Sequence, residues 1–420
     1  MTRTRRPIAS EPIVLLALLA MVPGCVFRGV RRDVRVMQRS ASIRGRVTRE
    51  RVGRGDILVV AYARGASIAT DVFTLPEAGD YLFTLRAGEY RIMAFEDVNQ
   101  DRVPDPASAL RSETVDVRLA EGENRHDVDL RLSGDAAVPA DMPRLPEPGR
   151  RQTQGLPDID VGVVTTLDDP RFSNDNGRFG MWQPVAFMFD VGAGIYFLDA
   201  CDALRTPILF VHGIGGHPAE FKYLVGTLDR RRFQPWFVYY PSGLELGRIA
   251  DGMVRWMQEL QIRCGFHHLV VIAHSMGGLV ARAFIQRAAG SAVPGIDGIR
   301  TFVSISTPWG GHPAAALGVA HAPAVVPAWR DLMPGSRFLE TLMETPLPHD
   351  VPHYLFFGFG GGGGSRFVPG ANDGVVTVAS ELDPRAQAAA IRMFGYDETH
   401  RGILNSAAVA AQLKAVVEAP

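Results

Sequence analysis

The chain has 420 residues, of which 46% are hydrophobic and 44 are glycine. This length and apolar content are sufficient for two domains and exclude an intrinsically disordered chain. The 44 Lys and Arg residues are balanced by 45 Asp and Glu residues, which gives a net charge of -1, so we expect no nucleic-acid partner held by phosphate contacts.

The N-terminus has the features of an export signal. Three arginines within the first six residues precede an apolar run at residues 13–22, and Pro23, Gly24 and Cys25 follow. This run is too short to cross a bilayer, whose core requires about 20 apolar residues. We therefore assign residues 1–25 to a signal peptide.

The residues Val22-Pro23-Gly24-Cys25 resemble a bacterial lipobox, in which the cysteine is lipidated and becomes the new N-terminus. The resemblance implies that lipid chains on Cys25 hold the protein at the bacterial envelope. Because Val26 gives no signal for inner-membrane retention, we expect the outer membrane. The alternative is an ordinary signal peptide that carries an incidental cysteine.

Residues 40–133 predict a small all-β sandwich. Gly, Pro and Asp residues separate short segments of alternating apolar and polar residues, which is typical of strands joined by tight turns. These segments lie at residues 57–63, 81–85, 90–95, 114–119 and 128–132.

An acidic loop follows the third of these segments. Asp97, Asn99, Asp101 and Asp105 alternate like cation ligands, but Arg102 stands where a calcium-binding helix-loop-helix needs Gly. A polar hairpin loop is the favoured interpretation, and we expect no metal and no cofactor.

Residues 134–158 predict a linker, because five prolines lie among charged and small residues without an apolar period. Such a linker would allow the β module and the following domain, residues 159–420, to move separately. In that domain, residues 180–198 are rich in Phe, Val and Trp and predict its first antiparallel strands.

Residues 207–217 predict a buried strand that ends in a His-Gly turn at His212 and Gly213. The backbone N–H of Ile214, in this turn, is a candidate donor to a developing negative charge.

Residues 269–280 predict a strand, a sharp turn and a helix, with Ser275 at the turn. Ala273 and Gly277 lie two residues before and after this serine, and only such small residues fit where strand and helix cross closely. A serine hydroxyl is a weak nucleophile until a base takes its proton, so Ser275 requires a histidine and an acid that orients it. The N–H of Met276 is the second candidate donor.

The strand predicted at residues 301–306 leads to Trp309, which either lines a substrate pocket or belongs to the core. The apolar segment that follows, about residues 311–352, predicts a cap over a lipid-accepting cleft. The alternative is an ordinary helical excursion packed on the core.

The base and the acid are found near the C-terminus. His400 is the only histidine beyond position 353, and Asp373 lies on a glycine-containing turn after a predicted strand. Asp331, Asp350 and Asp383 are competing acids, each better explained as a turn or cap residue.

The His-Gly turn, the segment 273–278, the segment 372–376 and the late His400 occur in the order that resembles the α/β-hydrolase family, in its lipase and esterase branch. The resemblance covers roughly residues 180–415. It implies an α/β-hydrolase fold, a mostly parallel sheet with helices on both faces and a cap insertion. The implied roles are nucleophile for Ser275, acid for Asp373, base for His400, and oxyanion donors for Ile214 and Met276.

Two further expectations follow from resemblances. The segment 87–101 is similar to prealbumin-like modules that accompany bacterial hydrolases. In the α/β-hydrolase fold, the strands that follow Cys201 and Cys264 are neighbours, so an exported chain could join these cysteines in a disulfide. The alternative is two buried free thiols.

These observations together predict an exported, membrane-anchored serine hydrolase that cleaves carboxylic esters of lipid character, as a lipase, phospholipase or esterase. Acyl transfer to an alcohol or amine on the same triad is one alternative. The other is a non-catalytic, membrane-anchored binding lipoprotein.

Overall fold

The structure, a computed structural model, describes residues 24–104, 110–134, 136–146, 159–290, 298–362, 368 and 370–418. Most of the predicted signal peptide, Asp105 of the acidic loop and most of the predicted linker therefore lie outside the described residues. Among the helices that are described, none is both long enough and apolar enough to span a membrane.

The N-terminal region is an all-β module of two sheets that follows a helix. Alternate residues of the strands point to a shared core between the sheets, with Ile43, Ile57, Phe83 and Ile92 at 0% exposure. One sheet has the order β4-β1-β7 with β8 also paired to β1, and the other has the order β3-β2-β5-β6. The elements are α1 (Gly24–Arg39), β1 (Ala41–Arg49), β2 (Asp56–Tyr62), β3 (Asp71–Leu75), β4 (Asp80–Leu85), β5 (Gly88–Asp97), β6 (Val115–Leu119), β7 (Asn124–Arg125) and β8 (Leu130–Leu132).

The second region contains an eight-stranded sheet of order β9-β10-β12-β11-β13-β14-β15-β16. Strands β11 to β16 are parallel, whereas β10 runs antiparallel to β12 and parallel to β9. The strands are β9 (Ile159–Val164), β10 (Ala193–Phe197), β11 (Thr206–Val211), β12 (Phe233–Tyr239), β13 (Leu269–His274), β14 (Ile299–Ile305), β15 (His353–Gly358) and β16 (Arg392–Tyr396).

Helices cover both faces of this sheet, because almost every residue of its central strands is buried, whichever face its side chain points to. In β11, Ile208 and Phe210 pack into one core cluster, while Leu209 and Val211 pack into the cluster on the opposite face. This is the α/β-hydrolase fold that the resemblance implied. The helices are α2 (Asn174–Trp182), α3 (Pro184–Asp190), α4 (Lys222–Gly226), α5 (Leu246–Cys264), α6 (Met276–Gly290), α7 (Pro313–His321), α8 (Pro327–Leu332), α9 (Arg337–Glu344), α10 (Val378–Glu381), α11 (Pro384–Ala389) and α12 (Ala407–Val417).

The prediction of strands throughout residues 180–198 was wrong, except at β10. Helix α2 begins at an N-cap, Ser173, whose hydroxyl accepts from the N–H of Asn176, and α3 has Pro184 in its first turn. These capping signals favour helices, and they outweigh the aromatic content that suggested strands. The first strand of the sheet, β9, directly follows the predicted linker.

The segment predicted as a cap forms α7, α8 and α9 and packs on the core of the second region. Its residues Ala315, Val326, Ala328, Leu332, Leu339 and Leu342 belong to the same core cluster as the sheet. Arg282 of α6 donates from Nε to the backbone oxygen of Leu342 at 3.1 Å. The segment therefore packs on the core as ordinary helices do, which is the alternative to a cap.

The β module is docked on α5 through a buried ion pair. Nη2 of Arg255 lies 2.7 Å from Oδ1 of Asp71, with side-chain exposures of 13% and 4%. The same guanidinium donates to the backbone oxygen of Val72 and lies 4.9 Å from the ring centre of Phe73. This contact does not fit the independent movement that the linker composition suggested. The described part of that segment also packs on the module, since Asp141 pairs with Arg91 at 2.6 Å.

Helix α1 belongs structurally to the second region. Oδ2 of Asp33 accepts hydrogen bonds from the N–H groups of Val185 at 2.9 Å and Ala186 at 3.0 Å, which caps α3. Val30 is 1% exposed and lies in the core cluster of the sheet.

A disulfide joins Cys201, which precedes β11, to Cys264 at the end of α5. Their Cα atoms lie 5.8 Å apart, and the closed loop spans 63 positions of the chain.

Candidate active site

Ser275 lies on the sharp turn between β13 and α6 and has a positive φ of 56°. A Cβ added at Gly277 would lie 2.4 Å from the backbone oxygen of Val211, so only glycine fits at that position. A Cβ at Gly213 would lie 2.7 Å from the Cβ of Ser275. The chain at the end of β11 can lie this close to Ser275 only because Gly213 and Gly277 have no side chains. This close packing holds Ser275 in a strained conformation.

Asp373 and His400 form a direct pair. Nδ1 of His400 lies 2.5 Å from Oδ2 of Asp373, and the backbone N–H of His400 donates to the backbone oxygen of Asp373 at 2.8 Å. The double contact fixes both the position and the rotation of the imidazole.

The Asp373 carboxyl is fully buried yet ionised. Burial acts to raise its pKa, but the hydrogen bond from His400 and those from the N–H groups of Val376 and Val375 lower the pKa to about 2. These two amides donate to Oδ1 at 2.7 and 2.9 Å. The carboxylate therefore remains negative at neutral pH and can stabilise a positive imidazole.

His274, the last residue of β13, holds His400 beside the turn that carries Ser275. Nε2 of His274 lies 2.8 Å from the backbone oxygen of His400, and the two rings are 4.7 Å apart. Ser275 and His400 are 6% and 7% exposed. The Ser275 hydroxyl makes no hydrogen bond to His400 in this conformation, as is common before a substrate tightens such a contact.

The two predicted oxyanion donors belong to residues beside this serine. Gly213, which packs against Ser275, precedes Ile214, and Met276 follows the serine at the start of α6. Within the described part of the chain, neither amide donates a hydrogen bond to a protein acceptor. Both N–H groups are thus free to bind a ligand oxygen.

The loop that contains Ile214 is held by residues that the sequence did not indicate. The hydroxyl of Tyr240 donates to the backbone oxygen of His212, and Oγ of Ser242 accepts from the N–H of Gly215 at 2.8 Å. The His212 ring is fully buried and stacks on Tyr240 at 4.1 Å. Burial lowers the pKa of His212 to about 3, so it shapes the loop as a neutral ring.

Trp309, predicted as either a pocket or a core residue, lies in the core. Trp309 is 0% exposed and packs against Phe302 and His353, which places it in the core rather than in a pocket. The side chain of Cys25 lies outside the described residues.

None of the three competing acids is hydrogen-bonded to His400 in the described part of the chain. Asp331 accepts from the N–H of Leu246 at 2.7 Å, Asp383 is the N-cap of α11, and Asp350 is exposed.

A second buried acid beside the pair was not indicated by the sequence. Glu381, at the end of α10, is 0% exposed. One carboxylate oxygen each of Asp373 and Glu381 and one ring nitrogen of His400 lie within 4.8 Å of one another. Burial and the charge of Asp373 raise the pKa of Glu381 to about 10. A glutamate on a short helix resembles a surface residue in the sequence, so no local signal could have revealed it.

Comparison with known proteins gives one family match. Residues 246–326 match the family described as "Putative serine esterase (DUF676)". The matched segment includes Ser275 and Met276 but not Asp373 or His400. The sequence has no match among curated proteins.

Solved structures that resemble this chain include two lipases and a gene product. Lipase BlEst2 of Bacillus licheniformis, in its mature form, has 16% identity and a TM-score of 0.42, and the match covers 53% of this chain and 97% of that one. Lipase B of Aspergillus fumigatus has 14% identity, a TM-score of 0.40 and coverages of 52% and 54%. The lin2722 gene product of Listeria innocua has 17% identity, a TM-score of 0.39 and coverages of 51% and 94%. Identities this low say nothing about the substrate of this chain.

Proposed function

We propose that this protein is a serine hydrolase that cleaves carboxylic esters through an acyl-enzyme on Ser275. The observation that carries the proposal is the 2.5 Å contact between Nδ1 of His400 and Oδ2 of Asp373. The backbone oxygen of the same histidine is bound by His274, which directly precedes the strained Ser275. A buried ionised carboxylate, an oriented imidazole and a serine on a sharp turn are the parts that acyl transfer requires.

In the acylation step, His400 takes the proton of the Ser275 hydroxyl as the oxygen attacks the ester carbonyl. Asp373 stabilises the imidazolium that forms, and the free N–H groups of Ile214 and Met276 donate to the oxyanion. His400 then gives its proton to the leaving alcohol. Water, activated by the same imidazole, releases the acid and restores Ser275.

We propose a lipid-like substrate because apolar surface borders the acid. Val375, two residues from Asp373, is 43% exposed, and its backbone oxygen lies 2.7 Å from Nε2 of His312. His312 is the N-cap of α7, the first helix of the predicted cap, and Leu317 on that helix is 37% exposed. In this proposal the segment 311–352 forms one border of the acyl site.

Labelling with a fluorophosphonate probe tests the nucleophile. We expect the wild type to be labelled and Ser275→Ala to remain unlabelled, while a wild type that stays unlabelled favours the binding lipoprotein. Hydrolysis of p-nitrophenyl esters of increasing chain length then distinguishes lipase from esterase. Product analysis with an added alcohol tests the acyltransferase alternative, which requires that ester formation exceed hydrolysis.

We also propose that the protein is a lipoprotein held at the outer membrane through Cys25. Helix α1 begins at Gly24 and packs on the hydrolase domain through Val30 and Asp33, so an anchor on Cys25 would attach to this domain without a spacer. The opposite face of α1 is basic and suits anionic headgroups. Its exposed residues are Arg28, Arg31, Arg32, Arg35 and Arg39.

Metabolic labelling of the full chain with a fatty-acid analogue in a bacterial host tests this anchor. We expect the wild type to incorporate the label and to fractionate with membranes, and Cys25→Ser to do neither. A wild type that is exported without label supports the ordinary signal peptide instead.

A further inference from the structure

Glu381 lies at the end of β15, the strand that precedes the proposed acid in the chain. Its Oε2 accepts from the N–H of Gly358 at 3.1 Å, at the last residue of β15. A Cβ added at Gly358 would lie 3.0 Å from the Cβ of Asp373 and 3.4 Å from Oγ of Ser306. Gly358, Ser306, Asp373 and Glu381 thus form one buried cluster behind the imidazole of His400.

The two carboxyl groups of this cluster are supplied unequally with donors. Asp373 accepts from the ring of His400 and from two amides. Glu381 accepts from one amide, and among the described residues no N–H or O–H group has bonding geometry to its other oxygen, Oε1, which is buried. Ionising two adjacent buried carboxyl groups costs a large free energy, because the two negative charges repel each other. The group that accepts more hydrogen bonds keeps the negative charge. Asp373 is therefore the anion.

A proton on Glu381 changes its unsatisfied oxygen into a donor. Asp373 is an acceptor beside that donor, because one oxygen of each carboxyl group lies within 4.8 Å of the other. The charge of Asp373 is also among the causes that raise the pKa of Glu381. Ser306, which has a φ of 48° and 0% exposure, is the other polar neighbour, and its Oγ also lacks a partner among the described residues. A hydroxyl proton on Ser306 can be donated to Glu381 in turn.

We propose that Glu381 is a positioning residue of the triad: it remains protonated and donates a hydrogen bond to the Asp373 carboxylate. The carboxylate then has donors on every side and cannot rotate away from Nδ1 of His400. The proton of Glu381 is not transferred in the reaction. As a contribution to catalysis this role rests on the hydrolase mechanism proposed above, whereas the protonation of Glu381 does not.

Infrared spectroscopy tests the protonation without any assay of activity. The difference spectrum between wild type and Glu381→Gln at neutral pH should contain the carbonyl stretch of a protonated carboxylic acid. A difference spectrum that shows only carboxylate bands would mean that Glu381 is ionised, and the proposal would be overturned even if the enzyme is an active hydrolase.

Kinetics of two variants test the positioning role. Glu381→Gln keeps an N–H donor and an acceptor in the same shape, and we expect its kcat to stay within about threefold of wild type. Glu381→Leu removes the donor, and we expect kcat to fall about 10- to 100-fold with KM little changed. The acidic limb of its pH profile should move to higher pH, because a carboxylate without that donor holds a proton on the imidazole more strongly.

Each kinetic outcome decides the question. A folded Glu381→Leu variant with wild-type kcat and an unmoved pH profile overturns the positioning role. If Glu381→Leu does not fold, the comparison rests on Glu381→Gln, which must keep both its activity and the wild-type acidic limb. A large loss in Glu381→Gln would show that a negative charge, not a donor, is needed at this position.

Discussion

Nε2 of His274 lies 2.8 Å from the backbone oxygen of His400, so the residue before the proposed nucleophile holds the proposed base in place. Burial, reinforced by the neighbouring His400, lowers the pKa of His274 to about 3. The ring is therefore neutral at working pH, and its N–H is available to donate to that oxygen at all moderate pH values. The same residue could be recognised in the sequence only as a neighbour of Ser275.

Substitution of His274 by leucine should lower kcat about tenfold, because one hydrogen bond that positions His400 is lost. KM should change little, since His274 has no contact with substrate in the proposed mechanism. Steady-state kinetics with a soluble ester provide the measurement. His268→Leu, at an exposed position, serves as the control, and a wild-type kcat in His274→Leu would contradict the assigned role.

Replacement of Asp373 by asparagine should lower kcat by about three to four orders of magnitude, the loss typical of a triad that lacks its acid. The amide keeps the shape of the side chain but cannot stabilise the imidazolium, and it favours the wrong tautomer of His400. Asp350→Asn tests a competing acid at an exposed position and should behave as wild type. A loss below tenfold in Asp373→Asn would exclude Asp373 as the acid.

The residues proposed as nucleophile, acid and base could be picked out from the sequence because each has a local signal. Ser275 lies between small residues at a strand-to-helix turn, Asp373 lies on a glycine turn, and His400 is the one late histidine. The supporting residues have no such signal. Tyr240 and Glu381 acquire their roles only when the sheet brings distant strand ends together.

Tertiary contacts and local capping signals explain why two of the sequence-based predictions fail. The composition of residues 134–158 suggested that the two regions move separately, but Arg255 of α5 pairs with Asp71 of the β module. The composition of residues 180–198 favoured strands, but Ser173 and Pro184 begin helices there. The amino-acid composition indicates how much apolar surface a segment can bury. Helix-capping residues and tertiary contacts determine whether that segment forms a helix or a strand.

Removal of the disulfide should destabilise the protein. The bond between Cys201 and Cys264 closes a loop of 63 positions, and a loop of this length restricts the unfolded chain by an amount worth about 4 kcal/mol. We expect Cys201→Ser, and reduction of the wild type, to lower Tm by similar amounts. Calorimetry with and without a reductant measures this, and a Tm that the reductant leaves unchanged would mean that the bond does not form.

Removal of the ion pair between Arg255 and Asp71 should weaken the docking of the β module. Asp71 is buried and the Arg255 side chain is only 13% exposed, so loss of one partner removes part of the compensation of a buried charge, which costs up to about 3 to 5 kcal/mol. Arg255→Met should therefore lower the free energy of unfolding by several kcal/mol, and Asp71→Asn on the same background should recover part of it. Arg64→Met removes an exposed ion pair to Asp116 and should cost about 0 to 1 kcal/mol. Equal effects of Arg255→Met and Arg64→Met would contradict the buried contact.

Glu381 should make the stability of the wild type fall as pH rises. Its pKa is raised from 4.5 to about 10 in the folded protein, so the folded state binds a proton that the unfolded state has released. The stability that this proton supplies is fully present below about pH 4.5 and is lost by about 1.4 kcal/mol per pH unit until about pH 10. Glu381→Gln cannot titrate and lacks this slope. In urea unfolding from about pH 5 to about pH 8, the variant should therefore gain stability relative to wild type by about 1 kcal/mol or more per pH unit. All other groups titrate alike in the two proteins and cancel in the difference, so parallel curves would mean that Glu381 enters the fold already ionised.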